Sequence, residues 1–284
     1  FKYSTKKTAL LAQRLYEGVE IDGSPVGLIT YMRTDSTRLS PEFIASAKSY
    51  INDKYGEKYC GHVHTGKSNK NIQDAHEAIR PAHIDLIPDE IKEYLSNDQY
   101  KLYKLIYNRF MASQMASAVF DTVQASIEAN DYEFKANGQN IKFKGFMTLY
   151  IEGTDTEKKE EEGMLPDLSE NEEVRKNKIN PKQSFTEPPA RYTEASLVKA
   201  LEEKGIGRPS TYSPTITTIL ERRYIEKEKK QLLPTELGRI VNKLLVENFG
   251  DVVNVEFTAN IESRFDKIAN GKEKWKQVIR EFYG

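Results

Sequence analysis

The chain has 284 residues, of which 38% are hydrophobic and 30% are charged, as is typical of a soluble globular protein rather than a disordered one. Its 42 basic and 43 acidic residues give a formal net charge of −1, so any nucleic acid would have to be bound by local patches. The single cysteine excludes a disulfide framework and a multi-cysteine zinc site, and no apolar run approaches the ~20 residues of a membrane span.

Helices and loops are predicted for the first part of the chain. A helix begins after Ser4, and the Gly-, Asp- and Pro-rich segment 17–27 is predicted to be a loop. Residues 28–31, LITY, are typical of a short buried strand. Two amphipathic helices follow, one beginning after Ser40 and the other covering most of 96–115.

The pattern changes to that of an antiparallel sheet near Ala118. Asn-Asp at 130–131 and Asn-Gly at 137–138 are predicted turns, and the charge run at 156–163 is predicted to be a solvated loop tip. Pro188 and Pro189 indicate a domain border. Beyond them the order helix, turn, helix, hairpin, helix is typical of a winged-helix-like unit, and two more helices end the chain.

Tyr31 is the first candidate for chemistry. A phenol needs neighbours that take its proton or stabilise its anion before it can act as a nucleophile near neutral pH. In a strand, Arg33 would lie on the same face and could hold a phosphate beside it, with Thr30, Thr34 and Ser36 as neutral donors. The alternative is a packed tyrosine whose hydroxyl is hydrogen-bonded.

Two further sites suit a phosphodiester. In HEAIRP, a helical turn would place His76 and Arg80 on one face, although Glu77 could simply pair with Arg80. In GIGRPSTY, Arg208 and Thr211 precede a helix whose free amides could bind phosphate, although the segment could equally be a capped turn. Arg222 and Arg223 at the far end of that helix could contact the DNA backbone or simply be solvated. The same holds for Lys227, Lys229 and Lys230 in the predicted hairpin that follows, which would be the wing of the winged-helix-like unit.

Four ordered blocks resemble the type IA DNA topoisomerases, and most closely the bacterial topoisomerase I branch. They are ITYMRTDS, AHEAIRP, the long block from PPARYTEAS to RRYI, and KKTALLAQRLYEG. The related topoisomerase III branch usually has proline at the position of Met32. Together the blocks extend across almost the whole chain.

The resemblance implies a role for each matching residue. Tyr31 would attack one DNA strand and form a 5′-phosphotyrosyl link, Arg33 would position the scissile phosphate, and His76 would assist. Gln13 and Glu17 would contact DNA near the tyrosine. Arg208 and Thr211, together with Arg222, would hold the single strand upstream of the cut. Because the link conserves bond energy, rejoining would need no ATP, and the family relaxes negative supercoils.

The resemblance also implies a multidomain fold of mixed α and β class. A mostly helical tyrosine-bearing domain would cover 1–117, an antiparallel β arch segment 118–190, and a helical winged-helix-like domain 191–284. The family's Toprim domain, which binds Mg²⁺, and its C-terminal zinc repeats have no counterpart here. We therefore expect a fragment that binds no metal itself and does not relax DNA alone. The full enzyme is expected to be a cytoplasmic, nucleoid-associated monomer whose partner is DNA, with no membrane contact.

Two other functions are compatible with the residues themselves. The chain could be a non-catalytic winged-helix module that binds duplex DNA through the helix near Ser210. It could also be a tyrosine strand-transferase of the type IB or recombinase kind, although that class usually carries its tyrosine near the C-terminus. The ten residues EGVEIDGSPV, longer than in some relatives, could also alter the loop beside Tyr31.

Overall fold

The computed structural model describes residues 1–61, 76–153, 165–166 and 168–283. Within them lie α-helices and three two-stranded antiparallel sheets, which confirms the predicted mixed α and β class. The helices are α1 (Thr5–Glu17), α2 (Pro41–Tyr55), α3 (Asn97–Gln114), α4 (Glu194–Glu203), α5 (Tyr212–Glu221), α6 (Glu236–Phe249), α7 (Val255–Ala269) and α8 (Trp275–Tyr283). The strands are β1 (Val19–Ile21), β2 (Ser24–Val26), β3 (Val119–Ala129), β4 (Tyr132–Phe143), β5 (Ile225–Glu228) and β6 (Gln231–Pro234). No helix in the described ranges has both the length and the hydrophobicity needed to cross a membrane.

Helix starts agree well with the sequence-based expectations. The Ser4 side chain accepts a hydrogen bond from the Lys7 amide at the start of α1. Thr193 and Ser196 form a reciprocal capping box at the start of α4, in which each side chain binds the other's backbone amide. Such caps satisfy amides that have no partner within the helix.

Two turn predictions were wrong. The predicted loop at 17–27 contains the β1–β2 hairpin, whose turn residues Asp22 and Gly23 have φ values of 51° and 79°. Asp-Gly is a strong signal for such a turn, and burial of Val19 and Ile21 on one face holds the strands. The predicted turn at 137–138 instead lies inside β4, where it pairs with β3. The predicted turn at 130–131 is present.

The described residues divide into two compact units. One comprises 1–40, 76–107 and 189–283, and the other comprises 41–61, 108–153, 165–166 and 168–188. The first contains α4, α5, the β5–β6 wing and α6 in the order of a winged helix, and α1 packs against α5. Its fully buried side chains include Leu15, Leu28, Tyr103 and Ile216. The division into three consecutive domains stays a prediction.

The second unit has its own core. Ala47 and Ile51 of α2 are fully buried, as is Met111 of α3. The Phe43 and Phe110 rings pack with their centroids 5.2 Å apart. The β3–β4 hairpin extends from this unit with most of its side chains exposed.

A buried carboxylate joins three elements of the first unit. Glu194, only 7% exposed, accepts hydrogen bonds from the Thr5 amide (2.7 Å) and hydroxyl (2.9 Å) and from Lys227 of the wing (2.7 Å). Burial alone would raise the pKa of Glu194, but the bonds from Lys227 and Thr5 outweigh it and hold the pKa below its usual value. The buried Glu194 charge therefore links α4 to Thr5, which lies 189 positions earlier in the chain.

Shortening a buried side chain of α1 should lower the free energy of unfolding far more than shortening an exposed one. Leu15 is fully buried, whereas Leu10 on the same helix is 52% exposed. We expect Leu15→Ala to lower the free energy of unfolding by about 2–5 kcal/mol, because a cavity remains. Leu10→Ala, the matched control, should change it by less than about 0.5 kcal/mol. Urea unfolding followed by circular dichroism measures both, and equal costs would show that the assigned face is wrong.

Loss of the Glu194 charge should destabilise the protein in a pH-dependent way. At pH 7, Glu194→Gln should cost about 1.5–3 kcal/mol, the range for hydrogen bonds to charged groups. The folded pKa lies below the unfolded value of about 4.3, so this contribution is present above pH 4.3 and is lost as the pH falls through the folded pKa. The exposed Glu203, 3.9 Å from Lys199, is the control, and Glu203→Gln should cost less than about 0.5 kcal/mol. A cost for Glu194→Gln that is unchanged between pH 7 and acid would contradict this assignment.

Candidate active site

Backbone contacts with α1 and with residues near Pro81 hold the segment that ends at Tyr31. The Leu28 amide donates to the Leu15 carbonyl at the end of α1 (2.8 Å). Gly27 is required beside it, because a Cβ there would lie 2.9 Å from the Tyr16 carbonyl oxygen. The predicted strand is reduced to a single bridge between the buried Ile29 and Pro81, because the Leu28 and Arg80 amides, which would extend a ladder, donate instead to the Leu15 carbonyl and the Thr30 hydroxyl.

The Tyr31 ring lies between two other rings. Its centroid is 4.7 Å from that of His76 and 5.3 Å from that of Tyr16, which meets it edge-on at 72°. Tyr31 is half-buried, and its hydroxyl has no hydrogen-bond partner within the described residues. The ring is thus fixed by packing while the oxygen has no partner among the described residues, unlike the hydrogen-bonded hydroxyl of the alternative interpretation.

The proposed helical turn at HEAIRP was wrong, because these residues are not helical and contain bends at His76 and Ile79. Arg80 turns towards Glu77, with Nε 2.8 Å from the carboxylate, and also donates to the Pro81 carbonyl. The pairing of Glu77 with Arg80, considered as the alternative, is therefore present. The Thr30 hydroxyl binds the backbone of Ala78 and Arg80, and His76 is exposed beside Tyr31.

Arg33 is exposed and forms no ion pair or hydrogen bond with another described residue. Residues 31–33 do not form a strand, so the argument that alternation puts Arg33 on the face of Tyr31 does not apply. The Thr34 and Ser36 hydroxyls accept from the Ser36 and Arg38 amides, at 3.0 and 3.2 Å, and shape the loop after the tyrosine.

Gln13 and Glu17 lie one turn apart on α1, and the Gln13 amide donates to the Glu17 carboxylate. The other Gln13 side-chain atom, Oε1, is buried without a hydrogen-bond partner, one of two such side-chain atoms in the described residues. An unsatisfied buried polar atom costs free energy, so it marks a position where a further donor would be favourable. Glu17 itself is exposed.

Arg208 and Thr211 are brought together, but Arg208 is already paired. Its guanidinium lies 2.7 Å from Asp266 and 3.4 Å from Glu262, both on α7. Burial would lower the pKa of Arg208, but the hydrogen bond and charge of Asp266 outweigh it and raise the pKa. The Thr211 hydroxyl accepts from the Arg208 amide (2.9 Å), so it caps the turn before α5.

The start of α5 lies near the loop that follows Tyr31. Burial, with the negative charges of Glu202 and then Asp35 adding to it, raises the pKa of Tyr212. Arg222 is at the opposite end of α5, exposed and without a partner in the described residues. Because α5 has ten residues, about 15 Å of helix separates Arg222 from Arg208 and Thr211.

Sequence reasoning missed some neighbours of the tyrosine and found no metal site. Tyr16 flanks Tyr31, and the Thr30 hydroxyl binds the backbone of 78–80 instead of facing a ligand. The sequence offered one hint of this contact, because Tyr16 lies at the end of the predicted first helix, two residues before Gly18. The described part of the chain has no group of three or more His, Cys, Asp or Glu side chains placed to hold a metal.

Comparison with known proteins extends over nearly the whole chain. Residues 1–280 match a family model described as DNA topoisomerase. The crystal structure of full-length topoisomerase I from Thermotoga maritima is similar, with a TM-score of 0.82 and 38% sequence identity. The match covers 100% of this chain and 46% of the Thermotoga chain, so this chain spans less than half the length of that enzyme. On this family match, which confirms the resemblance of the four sequence blocks, the chain belongs to the type IA DNA topoisomerases.

Proposed function

We propose that this chain supplies the nucleophile and part of the strand-binding groove of an enzyme that cuts and rejoins one DNA strand. The observation that carries the proposal is the Tyr31 hydroxyl, which has no partner among the described residues while its ring packs on His76. An oxygen committed to a structural hydrogen bond would be a poorer nucleophile. Arg33, exposed two residues away, adds a permanent cation on the same segment.

In the proposed reaction, the Tyr31 oxygen attacks the phosphorus of a phosphodiester in an unpaired strand. A bond forms between phosphorus and the phenolic oxygen, the bond to the 3′ oxygen of the neighbouring nucleotide breaks, and the phenolic proton is lost. Arg33 binds non-bridging oxygens, whose charge grows in the transition state, and His76 offers a second polar group beside the phenol. Reversal by the 3′ hydroxyl rejoins the strand without ATP.

The residues present do not supply everything that this reaction needs. The donor of a proton to the leaving 3′ oxygen and the Mg²⁺ site are proposed to lie in residues outside this sequence, in a Toprim-type domain. The absence of a cluster of metal-binding side chains from the described ranges is compatible with that division. We propose relaxation of negative supercoils by a cytoplasmic, nucleoid-associated monomer as the activity of the complete enzyme.

A winged-helix module without catalysis remains the second candidate, because α4, α5, the wing and α6 have that order. Two cations that such a module would use are already paired within the protein. Lys227 of the wing binds Glu194, and Arg208 before α5 binds Asp266 and Glu262. The Lys227 pair disfavours duplex binding through the wing, whereas the Arg208 pairs weigh equally against the single-strand contact that the resemblance implies for Arg208.

Removal of the Tyr31 hydroxyl should abolish covalent attachment to DNA. The chain is mixed with a separately produced Toprim-containing part of a type IA topoisomerase, Mg²⁺ and a 3′-end-labelled oligonucleotide, and the adduct is measured on a denaturing gel. Tyr31→Phe keeps the ring contacts and should reduce the adduct at least about 10³-fold. Tyr132→Phe, at a 74%-exposed position, is the control and should leave the adduct within about twofold. An adduct in Tyr31→Phe at wild-type yield would disprove the assigned nucleophile.

Single-stranded DNA should outcompete duplex DNA of the same length and sequence for this chain. Unpaired bases can stack on exposed rings, and only an unpaired strand lets the tyrosine reach the phosphodiester. We expect an affinity at least about tenfold higher for the single strand, measured by competition in fluorescence anisotropy at one fixed salt concentration. Preference for the duplex would favour the non-catalytic module instead.

A further inference from the structure

The segments 28–30 and 78–82 form an interrupted antiparallel pair. The Ala82 amide donates to the Leu28 carbonyl at one end (2.9 Å), and the Thr30 amide donates to the Arg80 carbonyl at the other (3.0 Å). Ile29 and Pro81 between them are a non-hydrogen-bonded pair, so the missing amide hydrogen of Pro81 removes no bond here. The Leu28 amide donates to the Leu15 carbonyl and not to Ala82, so the backbone alone makes only two bonds in this pair.

The Thr30 side chain supplies two more. Its hydroxyl donates to the Ala78 carbonyl (2.8 Å) and accepts from the Arg80 amide (2.9 Å). A hydroxyl has one hydrogen to donate, and here that hydrogen is used by the protein backbone. The sequence-based suggestion that Thr30 donates to a phosphate is therefore at odds with this geometry.

We propose that Thr30 is a positioning residue that holds the His76 imidazole against the Tyr31 ring; this inference rests on the proposed function. Thr30 directly precedes Tyr31, and the carbonyl that it binds belongs to Ala78, two residues after His76. One hydroxyl thus links the backbones that carry the nucleophile and the imidazole. The result is the 4.7 Å separation of the two ring centroids.

Other contacts of 76–82 would keep this segment folded without the hydroxyl. The Ala78 amide donates to the Arg38 carbonyl (2.8 Å), and the Glu77 carboxylate accepts from the Ser40 amide (3.3 Å) and pairs with Arg80. These contacts join the segment to the loop beyond Tyr31. Without the hydroxyl the Thr30 amide would still donate to the Arg80 carbonyl, but Arg80 lies four residues from His76, whereas the hydroxyl binds the carbonyl of Ala78, two residues away. Loss of the Thr30 hydroxyl should therefore loosen the alignment of the rings while the chain remains folded.

The test compares Thr30→Val, which keeps the branched shape and loses the hydroxyl, with Thr30→Ser, which keeps the hydroxyl. The first measurement is the nuclear Overhauser effect between the His76 and Tyr31 ring protons in selectively labelled protein; the chain has four histidines, so few imidazole signals overlap. The effect should be retained in Thr30→Ser and fall at least about threefold in Thr30→Val. The second measurement is the rate of adduct formation with the Toprim-containing part. It should fall about 10–100-fold in Thr30→Val, the scale expected for a misplacement of about 1 Å, and remain within about threefold in Thr30→Ser.

Several outcomes would overturn the inference. A wild-type Overhauser effect in folded Thr30→Val would show that the hydroxyl does not hold the imidazole. A lost effect with an unchanged adduct rate would show that the alignment does not matter to the reaction. If circular dichroism shows Thr30→Val unfolded, Thr30→Ala is compared with Thr30→Ser by the same two measurements. If the wild-type chain forms no adduct at all, the proposed function fails, while the Overhauser effect still decides whether Thr30 positions the imidazole.

Discussion

The buried Glu194 carboxylate is the contact on which the placement of the tyrosine segment depends. Helix α1 has no acidic residue in its own first turn, so the negative charge that its N-terminus favours comes from Glu194 of α4. Lys227 neutralises that charge, which makes its burial tolerable. At the other end of α1, the Leu15 carbonyl accepts from Leu28, three residues before Tyr31. The segment that carries Tyr31 is thus held by a helix that a distant part of the chain fixes at its first residue.

Local pattern was sufficient to predict the helices and the wing, because caps and apolar periodicity act within a few residues. Pairing between distant segments was not predictable in this way. The His76–Arg80 spacing suggested a shared helical face, but the segment is not helical, and Thr30, about fifty positions away, binds its backbone. The strand expected at LITY was shortened for a related reason, since the Leu28 amide donates to the distant Leu15 carbonyl and not to the partner strand.

The candidate site was predicted in part. The resemblance of four blocks identified Tyr31 and His76, and the structure brings their rings into contact, although their catalytic roles stay predictions. Spacing alone would have grouped Arg80 with His76, whereas burial and Glu77 give Arg80 a structural partner. The roles of Thr30 and Glu194 could not be read from the sequence, because each depends on hydrogen bonds between segments far apart in the chain.

A chain with a net charge of −1 could still bind DNA locally, because some of its basic residues are paired with carboxylates and others are not. Two carboxylates of α7 face the single guanidinium of Arg208, so the local charge there is negative and would repel a phosphate unless those carboxylates move away. Arg33 and Arg222 carry no such partners in the described residues, so a phosphate can approach them without first breaking an ion pair. Arg208 is therefore less available to DNA than Arg33 and Arg222, which have no acidic partner among the described residues. Arg33 would thus offer a phosphate an unpaired cation on the segment that carries Tyr31, while the net charge of −1 gives the chain no overall attraction for DNA.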